Sequence, residues 1–122
     1  MNSHGFTDEQ WSTAKAEVMA ILSARAKLRG MIPYSELAPK IKAIPLAAHD
    51  QRLFHLLGEV SEEEDVAGRG MISVIVVHKT GDMQPGPGFF ELASRLGRDT
   101  SDILECWIKE LKRVHAHWSL AK

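Results

Sequence analysis

Met71-Ile72-Ser73-Val74-Ile75-Val76-Val77-His78 is the stretch whose reading decides the fold class. Ile72, Val74, Ile75, Val76 and Val77 follow one another too closely for a strand with one wet face. The segment therefore reads as a strand buried on both sides, or central in a small sheet. It is also far shorter than the ~20 apolar residues that a membrane span needs. Most of the chain on either side of it has helical spacing, so the chain is expected to be a mostly helical α+β protein.

Upstream, Trp11, Ala14, Val18, Ile21, Leu22 and Leu28 make a stripe at spacings of three and four, which predicts a helix over 7–29. Thr7 and Gln10 form a capping-box pattern, and Gly30 is the expected stop. Arg25 breaks the stripe, with a stem that can lie along apolar surface. Residues 31–34 read as a short extended segment because Pro33 removes a ladder donor. Ser35 is expected to cap a short helix over 36–43, limited by Pro39. A third helix starts at His49 or Asp50 and turns Leu53, Leu56, Leu57 and Val60 inward. Gly58 costs it about 1 kcal/mol relative to Ala. Ser61 is expected to cap a fresh turn for Glu62, Glu63, Glu64 and Asp65.

Downstream, residues 80–88 form a loop rich in Gly and Pro, with a short returning strand expected near 82–84. A fourth helix is expected over 89–96. The last runs from Thr100 or Ser101 to about Ser119, with Leu104, Trp107, Ile108, Leu111, Val114 and Trp118 as its inner stripe. The expected organisation is a tail over 1–6 and a single domain over 7–122, with a winged-helix-like centre, a small sheet and long helices at both ends.

The 122 residues carry 15 Lys+Arg, 16 Asp+Glu and one Cys. Cys106 alone excludes an internal disulfide framework and a four-cysteine zinc site. No secretory signal is visible at the start, and a cytoplasmic location is expected. The near-zero net charge is a cancelled sum: Glu59, Glu62, Glu63, Glu64 and Asp65 mask a modest basic excess elsewhere. Arg25, Lys27, Arg29, Lys40 and Lys42 oppose only Glu36 within residues 23–42, which allows a basic face suited to phosphates.

The order short strand, small helix, second helix, strand and Gly-rich loop is that of a winged helix-turn-helix, with the second helix in the major groove. Ile32-Pro33-Tyr34-Ser35-Glu36-Leu37-Ala38 resembles the helix-turn-helix entry of the alkyltransferase-like DNA-binding proteins, over residues 31–81 at most. Where that family has Pro-Cys-His-Arg, this chain has Val76-Val77-His78-Lys79. The resemblance therefore implies binding without alkyl transfer, with Tyr34 contacting the groove and Arg52 on the recognition helix. On this reading the nucleic-acid-binding residues are Tyr34, Ser35, Gln51, Arg52 and Lys79. The near-neutral start of that helix and its acidic end count against strong duplex binding.

The alternative is a small-ligand site, in a binding protein or an enzyme, where the buried strand meets the Gly/Pro loop. A Gly-rich strand-to-helix turn can aim backbone N–H groups at a ligand. Its residues are Arg69, His78, Gly86 and Gly88. Gly86-Pro87-Gly88 lacks the third glycine of a dinucleotide fingerprint, and no Walker ending follows.

No Ser-His-Asp or paired-carboxylate order is present, and His115 and His117 diverge on a helix. No catalytic residue, cofactor or metal is therefore assigned. A third reading is a regulatory subunit that meets a protein partner or a second copy through its apolar helix faces. No membrane partner is expected.

Overall fold

The computed structural model describes residues 2–3, 5–78 and 85–120. Two short strands, β1 (Asn2–Ser3) and β2 (Phe6–Thr7), pair antiparallel with Asn2 opposite Thr7 and Ser3 opposite Phe6. The segment expected as a tail thus holds paired backbone, and the Phe6 ring lies 6.5 Å from that of Trp11. Helix α1 (Asp8–Lys27) follows with the expected capping box: Gln10 N–H donates to Thr7 Oγ1, and Thr7 N–H to Gln10 Oε1. Trp11, Ala14, Val18, Leu22 and Ala26 form its buried face.

α1 ends one residue earlier than Gly30 suggests. Arg29, not Gly30, takes the left-handed conformation at φ 55°, with Gly30 N–H bonded to Arg25 O and Arg29 N–H to Ala26 O. Gly30 is needed for a different reason, since a Cβ there would stand 2.9 Å from Arg25 Cδ. Arg25 folds back over it to donate to Met31 O at 2.7 Å and to Glu36 Oε2 at 2.6 Å.

Strand β3 (Ile32–Pro33) leads directly into α2 (Tyr34–Leu37), a single turn extended by a 3-10 turn over Ala38–Lys40 that holds Pro39. The cap position falls on Pro33, so Ser35 sits exposed inside the turn and caps nothing. α3 (Gln51–Val66) is capped by Asp50, whose carboxylate accepts from Arg52 N–H. α3 runs unbroken through Ser61. That residue is buried mid-helix, donating to Ser73 Oγ at 2.5 Å and accepting from Ser73 N–H.

The decisive stretch is buried as expected but is not a strand along its length. Ile72–Ile75 form a 3-10 turn, and only Val76–Val77 (β4) are extended. A continuous apolar run fixes burial without fixing conformation. Here the turn packs against α1, α3 and α5 (Ile103–Leu120) together, and a two-sided strand has only two faces to offer. β4 pairs parallel with β3, Ile32 opposite Val76 and Pro33 opposite Val77. α4 (Pro87–Arg95) starts two residues before the expected position, with Pro at a first-turn site where its missing N–H costs nothing.

The inner face of α5 also differs from the expected stripe. Cys106, Glu110, Val114 and His115 are buried, Trp107, Leu111 and Trp118 are half-buried, and Leu104 and Ile108 remain 48% and 37% exposed. α5 lies on α1 and on the 3-10 turn over 72–75. The architecture is mostly helical α+β. No helix among the described residues is long and apolar enough to cross a membrane.

Candidate functional site

The parallel register of β3 and β4 decides what stands at the site. With Ile32 opposite Val76 and Pro33 opposite Val77, the next residues, Tyr34 and His78, come side by side. Their rings are 5.1 Å apart and tilted by 41°. Phe54 of α3 meets Tyr34 edge-to-face at 5.6 Å. Gly86 N–H, at the start of α4, donates to Tyr34 Oη at 3.2 Å. A Cβ on Gly86 would stand 3.3 Å from His78 Nε2, tight enough that the His78 ring would have to give by a few tenths of an ångström.

These residues form one end of a cleft of about 570 Å³ between α3 and α4. Gln51, His55, Glu59 and Glu62 of α3 recur at spacings of three and four along one wall. Gly88, Glu91 and Arg95 of α4 do the same on the other, and Phe89, Leu57 and Leu92 line the base. Glu59 is anchored from behind by Trp11 Nε1 at 2.9 Å and by Lys15. Such a volume, with an apolar base and polar walls, is of the size that small organic ligands occupy.

Tyr34 is the best-prepared polar group in the cleft. It is 8% exposed, and burial pushes its phenol above the ordinary value, with the Gly86 N–H opposing. Its oxygen accepts from Gly86, and among the described residues nothing accepts its hydrogen. At neutral pH it is a hydrogen-bond donor, not a base.

The structure gathers Tyr34, Gln51, His78, Gly86 and Gly88 in this cleft, merging residues from the nucleic-acid and the ligand readings. The others lie elsewhere. Ser35 is exposed on α2. Arg52 forms a fork with Asp50 at 3.1 and 2.7 Å, and its guanidinium lies 4.8 Å over the Phe6 ring. Arg69 is near the strand in sequence but is held bidentate by Glu64 beyond the end of α3. Lys79 and the expected returning strand lie outside the described residues, as does most of the segment that would form a wing.

Sequence reasoning missed His55, Gly58, Glu62 and the α4 wall. The signal existed: Gln51, His55, Gly58 and Glu62 share one helical face. The consecutive acids hid it, because they part company in space. Glu62 lines the cleft, Glu63 meets Lys15, and Glu64 is buried against Arg69. Burial and a bidentate partner make Glu64 a structural residue.

A second cavity of about 350 Å³ lies beside Arg98 and α5. Its principal charges are already paired within the fold, Arg98 with Glu110 and Asp65, and Lys109 with Glu105. The Cys106 thiol on its wall is pushed up by burial and by the Glu110 charge, away from nucleophilic character. Among the described residues no group of three or more His, Cys, Asp or Glu is placed to hold a metal.

The tryptophan faces of α1 and α5 turn inward, and Trp107 Nε1 donates to Val74 O at 3.2 Å. The apolar surface left on α5 is Ile103, Leu104 and Ile108. Searches of protein-family models, of curated proteins and of solved structures find no match to this chain.

Proposed function

We propose that this chain binds a small organic ligand in the cleft between α3 and α4, with Tyr34 and His78 as its polar anchors. The observation that carries the reading is Tyr34, nearly buried at the end of the cleft, whose hydroxyl accepts from Gly86 N–H and whose hydrogen meets no acceptor among the described residues. Burying a donor without an acceptor is costly, and a ligand oxygen or nitrogen there relieves it.

This reading stands ahead of nucleic-acid binding because α3 is a poor recognition helix. Arg52 is neutralised by Asp50, and Glu59, Glu62 and Glu63 follow on the accessible part of the helix. Phosphates would meet like charge there.

A thermal-shift screen of small metabolites tests the proposal, with a gel-retardation assay at low salt beside it. The expected result is a compound that raises Tm, by roughly 2.7 kcal/mol of stabilisation at ~100 times its Kd. Tyr34→Phe should keep the fold and lose most of that gain. A screen flat for the intact chain, or nucleic-acid retardation that fades steeply with salt, overturns it.

A further inference from the structure

Most glycines of this fold are there for a local reason. Gly5, Gly68, Gly70 and Gly97 have φ between 82° and 91°, where other residues are strained. Gly30 and Gly86 are crowded, with a Cβ meeting Arg25 at 2.9 Å and His78 at 3.3 Å. Among the described glycines that leaves Gly58 and Gly88. Neither has a left-handed φ, and a Cβ on either would meet nothing within 4 Å. Gly58 lies inside α3, where glycine is a poor helix former and alanine would serve the helix better. The fold asks for neither residue, and both line the cleft between α3 and α4.

We propose that Gly58 and Gly88 keep two patches of bare backbone for a planar aromatic ligand that carries an amine. This rests on the ligand-binding reading above and specifies what the site takes. A flat ring can lie against exposed backbone where a methyl group would hold it off. Tyr34, Phe54 and Phe89 supply aromatic surface in the same cleft. The charge class follows from the walls. Glu62 and Glu91 face the cleft against the one guanidinium of Arg95, while the charge of Glu59 on the same wall is met by Lys15. A carboxylate or phosphate ligand meets net repulsion there, and an ammonium meets attraction.

The test uses the full chain and two probes with the same ring and opposite charge, tryptamine and indole-3-acetate, followed by amide chemical shifts. Tryptamine should move signals of α3 and α4 around Gly58 and Gly88, and bind about tenfold tighter than indole-3-acetate. Gly58→Ala should move stability and binding in opposite directions. Tm rises by roughly 4 °C, and tryptamine affinity falls by about tenfold. Gly88→Ala should weaken tryptamine without lowering Tm. A fall in Tm for Gly58→Ala would show that the fold needs the glycine, and it overturns the proposal. So does unchanged tryptamine affinity in both variants, absence of tryptamine binding, or equal binding of the acid. A stabilising compound from the metabolite screen that both glycine variants bind unchanged leaves the cleft reading intact and removes only this inference. A screen flat for the intact chain removes the cleft reading itself.

Discussion

Asp50 and Arg52 show how a residue's sequence context can mislead about its availability. Arg52 stands one position into a helix start, where a groove-reading side chain would be sought. The carboxylate that caps the same helix reaches it from two residues away. Asp50 accepts from Arg52 N–H at 2.8 Å and from both sides of the guanidinium fork, which lowers its pKa from 3.8 to about 2. A depressed folded pKa means that the contribution is complete above the unfolded value and drains away as pH falls through the folded one. Asp50→Asn keeps a good helix cap and deletes the charge. It should therefore flatten the part of the Tm–pH curve between about pH 4 and pH 2. A variant whose acid limb matches the parent chain would show that the fork contributes nothing to stability in solution. Tyr34 was legible as a residue of interest, but its use was not. Its hydroxyl partner, Gly86, lies 52 positions away.

At the scale of elements, α1 was legible almost to the residue, because its cap, stripe and end are local. α5 was legible as a helix with Val114 on its inner face, and its stripe was set too far toward Leu104 and Ile108. Its sequence offers two overlapping stripes that share Val114, one through Leu104, Ile108 and Leu111, the other through Cys106 and Glu110. Hydrophobicity favours the first, and the fold buries the second because Arg98 and Met71 supply partners for Glu110. The phase has a measurable consequence. Val114→Ala should cost about 2 kcal/mol in urea denaturation, and Leu104→Ala less than about 0.5 kcal/mol. The reverse order would restore the hydrophobic stripe as the inner face. The stretch at 71–78 failed differently. Its burial was read correctly, but an all-apolar run has no period from which to tell strand from 3-10 turn.

Across the whole molecule, Glu110 ties the elements together. Only 1% exposed, it accepts from Met71 N–H at 2.8 Å and from Arg98, which also reaches Asp65 at the end of α3. One carboxylate thus joins α5, the entry to the 3-10 turn, the chain after α4 and the end of α3. Glu110→Ala leaves Arg98 short of its main partner and Met71 N–H unpaired inside the protein. It should cost about 3 kcal/mol or more in chemical denaturation, and a loss under about 1 kcal/mol would mean that the network is incidental. The sequence by itself determined what depends on near neighbours: the mostly helical class, the capped starts of α1 and α3 and the buried run at 71–77. Tertiary structure decided which of the singled-out residues meet. The parallel pairing of β3 with β4 puts Tyr34 beside His78, and the packing of α3 on α4 makes a cleft from two helix faces that no local pattern connects to each other. Capping and periodicity act over three or four residues, so they are written in order along the chain. Strand register and helix packing join residues tens of positions apart, and those distances exist only once the core has formed.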